Sequence, residues 1–182
     1  EELVLSAGPG TPLANIHVVL AERRQELAFE PPDYGSLLNG EPGAGTIGGA
    51  VSANLAGPRR LKVGAARDHF LGFDAVSGRG EAFKSGGRVV KNVTGYDLSK
   101  VMAGSWGTLG ALTSVTLKVL PMAEKVRTIL VLGCDAATGV AAMTKALQMP
   151  YEVSGAAWLP DSLAKISNVS YVRGAGAPVA GI

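Results

Sequence analysis

Residues Glu30 to Gly45 carry three prolines and four glycines, a density that neither a helix nor a strand survives. The stretch reads as a rigid, irregular loop. Its end overlaps the string Gly43-Ala44-Gly45-Thr46-Ile47-Gly48, which matches G-x-G-x-x-G. That fingerprint marks a dinucleotide site only where a strand leads into it. Here a loop leads into it, so the string argues against a Rossmann-type NAD site. Asp68 follows about twenty residues on, as in that motif, but ends no obvious second parallel strand. The sequence has no G-x-x-x-x-G-K-[ST] string, which excludes a nucleotide-hydrolysing P-loop.

Around the loop, hydrophobic spacing predicts short elements. Leu3 to Ala7 is a strand, turned by Gly8-Pro9-Gly10. Thr11 is placed to cap a helix with Pro12 at its first position, and Leu13, Ile16 and Leu20 form that helix's apolar face. His17 borders the face and has a packing or surface role. A short helix carrying Ile47, Val51 and Leu55 follows the loop and ends at Gly57-Pro58. Phe70 to Val76 and Glu81 to Lys84 form a hairpin turned by Ser77 to Gly80. Val89-Val90 opens a short strand. Asp97 starts a helix running to about Ala103. Val115, Leu117 and Val119 alternate with polar residues up to Pro121, the pattern of a half-buried strand.

Pro121 to Lys125 is the expected boundary between a domain over 1–121 and a second over 122–182. In the second, Thr128 to Leu132 is a strand and Asp135 caps a helix with Val140, Met143 and Leu147 on one side. Tyr151 to Leu159 is a further strand, giving a β-α-β unit. The expected class is α+β. The opening residues read as a strand already under way, and the Gly/Ala-rich end, Arg173 to Ile182, as stopping short of a natural terminus.

The chain has 182 residues, 47% of them hydrophobic, and a formal net charge of +2. No basic stripe interleaved with aromatics is present, so nucleic acid is not an expected partner. The Arg23-Arg24 and Arg59-Arg60 pairs read as solvated surface. Cys134 is the single cysteine, so neither an internal disulfide nor a zinc motif can form, and a reducing, cytoplasmic setting fits. The tripeptides at Asn92 and Asn168 match the glycosylation pattern by chance. No apolar run is long enough to span a bilayer, so membrane association must come through a partner.

Three segments carry candidate chemistry. In residues 43 to 54 the glycines let backbone approach a bulky anion, and free N–H groups at the following helix start point toward negative charge. Thr46, Ser52 and Asn54 add polar side chains. A structural turn without ligand is the alternative. In Gly104 to Thr113 a helix ends, small residues bare the backbone and a strand begins. Trp106 is expected to pack rather than to stack on a ring. In Lys84 to Leu98, Lys91 or Tyr96 could approach a cofactor or a subunit. The preferred reading has Tyr96 and Asp97 organising a turn and capping a helix. The two histidines, His17 and His69, have no Cys, Ser or metal companion, so no catalytic residue and no metal site can be named.

GTIGGAVSAN, followed at a distance by KNVTGYDLSKVMAGSWGTLGALTSVTLKVLP, resembles the FAD-binding fold of the vanillyl-alcohol oxidase and p-cresol methylhydroxylase (PCMH) superfamily. Within it, FEPPDYGSLLNG, AGPRRLKVGAARDHFLGFDAV and FKSGGRVVKNVTGYDL are similar to the FAD-binding E subunits of glycolate oxidase. The resemblance covers roughly residues 3 to 160 and involves several long strings rather than one glycine motif.

The resemblance implies a PCMH-type FAD-binding domain, its second subdomain a mixed or antiparallel sheet with helices, followed by the start of an α+β cap domain. It implies FAD held largely by backbone groups. Gly45, Thr46, Ile47, Gly48, Gly49, Ser52 and Asn54 would face the flavin and pyrophosphate, and Gly57 would close that loop. Gly107, Thr108, Ala111 and Leu112 would contact the adenosine half. The implied partners are a sister flavoprotein that oxidises glycolate and an iron–sulfur subunit, with attachment to the inner membrane through the complex. Two departures stand out: the chain begins after the family's first pyrophosphate loop, and its cap domain is incomplete. The G-S-E-G-T string of D-lactate-dehydrogenase-like relatives is G-S-W-G-T here. The alternatives are a stand-alone FAD-dependent D-2-hydroxy-acid dehydrogenase and a scaffold that has lost the cofactor.

Overall fold

A computed structural model describes residues 3–35, 37–87, 95–166 and 179–181. The expectations for Val89-Val90, Lys91 and the tripeptides at Asn92 and Asn168 lie outside these residues. The chain divides into two compact units, Glu1–Met122 and Ala123–Ile182.

The first unit contains, in chain order, β1 (Val4–Ala7), α1 (Leu13–Glu22), β2 (Gln25–Glu26), α2 (Ile47–Ser52), α3 (Arg60–Val63) and α4 (Ala66–His69). It continues with β3 (Phe70–Val76), β4 (Ala82–Gly86), α5 (Leu98–Met102), β5 (Ala111–Lys118) and β6 (Leu120–Pro121). Strands β1, β5, β3 and β4 form one sheet in that order, and every pairing is antiparallel. β2 and β6 form a separate two-stranded pair. The period-2 pattern of β5 turns Val115 and Leu117 inward, where each is fully buried. They meet Phe70 and Phe73 of β3, Ile16 and Leu20 of α1, and Ile47 and Val51 of α2 in one core. Removing a large side chain such as Leu117 or Phe70 from water contributes about 2–3 kcal/mol.

Three local expectations fail for identifiable reasons. Pro12, not Thr11, is the N-cap of α1, because Pro12 is extended (ψ 139°) and forms an isolated bridge with Thr46. The helix after the loop ends at Ser52, with Ala53 as its C-cap and well before Gly57-Pro58, because Asn54 takes a left-handed φ of 51°. Arg59 is half-buried rather than solvated: its guanidinium pairs with Glu26 at 2.9 Å, and its N–H donates to Glu30 Oε2.

The second unit contains β7 (Leu130–Leu132), α6 (Ala136–Leu147), β8 (Ala157–Leu159), α7 (Asp161–Ala164) and β9 (Val179–Gly181). β9 lies between β7 and β8 and runs antiparallel to both, so this is a split β-α-β arrangement. The Asp135 carboxylate caps α6 by accepting from the Thr138 N–H at 2.8 Å. The buried face of α6 is Gly139 and Ala146, whereas Val140 and Leu147 are exposed. A side chain at Gly139 would overlap the Trp158 indole, whose Nε1–H donates to the Cys134 carbonyl. The ring therefore lies where α6 has no side chain at all, at Gly139. Only Ala157–Leu159 of the stretch from Tyr151 to Leu159 is strand.

Candidate functional site: an apolar cavity beside two glycine bends

The first unit holds a cavity of about 620 Å³. Its walls are the start of α1, the irregular loop, α2 with the residues just after it, and Trp106. The volume falls in the range of cofactor and small-molecule sites. The loop keeps its shape through Asp33, whose carboxylate accepts from the Gly35 N–H at 3.0 Å and the Gly43 N–H at 2.8 Å. These two donors, that of Gly35 first, hold the Asp33 carboxyl below the usual carboxylate value. The other end of the loop is fastened to α1: the Leu13 N–H donates to the Gly45 carbonyl at 2.9 Å, and the Ile47 N–H to the Thr11 carbonyl at 3.0 Å.

These bonds change the expected role of the glycine string. The N–H groups at the start of α2 are not free. Ile47 donates to Thr11, Gly48 to the Pro9 carbonyl at 2.8 Å, and Gly49 to Thr46 Oγ1 at 3.2 Å. Gly48 is glycine for packing, since a Cβ there would stand 2.5 Å from Pro9 Cβ. Among the described residues, the N–H groups of Gly45 and Thr46 are two of the rim's donors that take no part in these bonds. The Thr46 hydroxyl accepts from Gly49, so its own proton remains available.

The two bends adjoin. The Gly104 N–H donates to the Val51 carbonyl at 3.2 Å, and the Trp106 N–H to the Ser52 carbonyl at 2.9 Å. The segment after α5 is thereby fastened to the end of α2. Asn54 makes a further tie, its Oδ1 accepting from the Arg67 N–H at the start of α4.

Of the twelve residues expected to face the cofactor, Gly45, Thr46 and Gly49 line this cavity. Ile47 is in the core, Gly48 lies against Pro9, and Gly57 lies against Glu30. Ser52 is half-buried at the end of α2. At the second bend Gly107 has a φ of 74° and Thr108 donates its hydroxyl proton to the Ser105 carbonyl. Ala111 is exposed at the start of β5, and Leu112 packs on the core. Sequence reasoning missed Leu13, His17, Tyr34 and Leu55 as wall residues. Only the stiffness of Pro31-Pro32 hinted that the loop could form a wall. Trp106 does not pack: it is 75% exposed, it lines the cavity, and its φ is 54°.

Elsewhere, His69 is buried, with Nε2 on the Val63 carbonyl at 2.7 Å and its ring against Phe29. Among the described residues no group of acidic, Cys or His side chains could hold a metal ion, and no helix is long and apolar enough to cross a membrane.

Residues 1–86 match the family described as "FAD binding domain". The chain is 48% identical over 120 residues to glycolate oxidase subunit GlcE of Escherichia coli (strain K12), a match covering 66% of this chain and 32% of that protein. It is 36% identical over 132 residues to glycolate oxidase subunit GlcD of Bacillus subtilis (strain 168), covering 72% of this chain and 26% of that one. It therefore spans a third or less of the length of either relative. A solved alkyldihydroxyacetonephosphate synthase covers 99% of the chain at a TM-score of 0.73 and 17% identity, with 34% of that chain covered, a likeness of fold. The fold is thus the α+β PCMH-type expected from the sequence; the chain is similar to glycolate oxidase subunit GlcE, and its residues 1–86 match the family described as an FAD binding domain.

Proposed function

We propose that this chain is the FAD-binding part of a glycolate oxidase subunit, working in a complex that oxidises a 2-hydroxy acid to the 2-oxo acid. One observation carries the reading: two glycine bends, far apart in sequence, are bonded together through Val51 and Ser52 beside a largely apolar cavity. The residues fit FAD. The walls of Leu13, Pro31, Pro32, Ala53 and Leu55 suit a flat apolar ring, and the N–H groups of Gly45 and Thr46 with the Thr46 hydroxyl suit its polar edge. Bound FAD would supply a two-electron acceptor. The chain's own contribution is to hold and orient the cofactor and to exclude water from one side of it.

The likeness to GlcE supports a place among several subunits. In this reading a sister flavoprotein takes the hydroxy acid, an iron–sulfur subunit takes the electrons, and any membrane attachment comes through the complex on its cytoplasmic side. Residues 1–121 are the FAD-binding domain and 122–182 part of a cap. Ser52, Asn54, Gly57, Gly107, Thr108, Ala111 and Leu112 extend the cofactor's track beyond the cavity. Ile47 and Gly48 support it from behind.

The test is titration of FAD into the purified chain, followed by flavin fluorescence. Saturable quenching at one FAD per chain is expected, and no quenching at any ratio sinks the reading. Turnover of glycolate or D-lactate by the chain alone with a dye acceptor would favour a stand-alone dehydrogenase instead.

A further inference from the structure

We propose that Trp106 is a flavin-stacking residue, its indole covering the isoalloxazine ring lodged in the apolar cavity. The inference rests on the FAD reading above and adds a side chain to a site otherwise made of backbone and aliphatic groups.

The backbone of Trp106 is in the left-handed region, with φ at 54°. A bulky L residue there is disfavoured, because Cβ crowds the neighbouring carbonyl oxygen. The same bend has Gly104 and Gly107 at φ of 80° and 74°, so the chain places glycine at the flanking left-handed positions but not at this one. Packing does not compensate for the strain, since the side chain is 75% exposed. Strained backbone that carries a large side chain with no packing to offset it points to function.

The position of the residue is fixed. Its N–H is held by the Ser52 carbonyl at 2.9 Å, the Gly104 N–H by Val51, and the Thr108 hydroxyl by the Ser105 carbonyl at 2.7 Å. The backbone that carries the indole is therefore held at the cavity wall, which Trp106 lines together with Ala53, Leu55, Pro31 and Pro32. Such walls offer flat apolar contact and few partners for ribose or phosphate. Of the parts of FAD, the tricyclic ring matches them best, and an indole adds offset stacking.

The experiment compares wild type with W106G and W106F for binding of FAD, riboflavin and ADP, read by tryptophan and flavin emission, and for thermal melting. FAD and riboflavin are expected to quench tryptophan emission in wild type and ADP is not; W106F loses that quenching. W106G is expected to weaken FAD binding by about tenfold, and W106F to restore it to within about threefold. The melting temperature of W106G should stay level or rise, because glycine accepts the left-handed backbone. Should W106G not fold, W106N provides the same comparison, asparagine being tolerant of this region. Unchanged FAD affinity with a lower melting temperature would make Trp106 a structural residue and overturn the proposal alone. Quenching by ADP but not by riboflavin would overturn it too. Wild-type protein that binds neither FAD nor riboflavin overturns the FAD reading, and the stacking falls with it.

Discussion

Gly48 shows how one missing side chain sets the distance between two parts of the chain. Its α-carbon rests on Pro9, and its N–H reaches the Pro9 carbonyl. Gly48→Ala would place a Cβ 2.7 Å from the Pro9 carbonyl oxygen, so the turn at residues 8–10 or α2 must shift. Overpacking of this kind costs about 2 kcal/mol. Urea unfolding should show that loss for Gly48→Ala and almost none for Gly78→Ala, where a Cβ meets nothing within 4 Å. The glycine string was legible as a special place in the sequence; its reason was not. A sequence shows that Cβ atoms are missing, not whether a ligand or a proline ring fills the space. Trp106 was misread for a related cause: an aromatic residue is usually buried, and only its φ and exposure mark it as different.

At the scale of elements, strands with strong alternation were readable and loop-built walls were not. β3, β4, β5 and the Asp97 and Asp135 caps follow from period and capping chemistry. The face of α6 was not readable, because a tryptophan from β8 selects small residues over larger apolar ones. The loop before α2 has no periodicity at all, and its order comes from Asp33 together with backbone turns such as those from the Leu38 N–H to the Tyr34 carbonyl and from the Gly40 N–H to the Gly35 carbonyl. In the folded chain the carboxylate of Asp33 gives up its proton more readily than in the unfolded chain. The tie is therefore complete above the usual value of 3.8 and is lost as pH falls through the lower, folded value. Amide exchange read by NMR should show Gly35 and Gly43 protected at neutral pH and released only in acid. Asp33→Ala should release both at every pH and weaken ligand binding in the cavity, while the core helices keep their protection.

For the whole molecule, the two units make a proteolysis prediction. Residues 122–129 are exposed and belong to neither a helix nor a strand. Segments of that kind are cut first. Brief trypsin treatment should cleave at Lys125 and Arg127 and leave fragments of the first unit resistant, as read by mass spectrometry. Early cleavage within residues 60–80 would contradict the division.

The second sheet has its last strand in the middle. β9 provides hydrogen-bonding partners to β7 on one side and β8 on the other, through Val179, Ala180 and Gly181. A chain halted before Val179 would leave two facing strand edges with a slot between them the width of one strand. Such a slot accepts any extended peptide, including the same three residues of an intact neighbour. The shortened protein should accordingly form assemblies that a synthetic peptide spanning residues 176–182 disperses, measurable by light scattering.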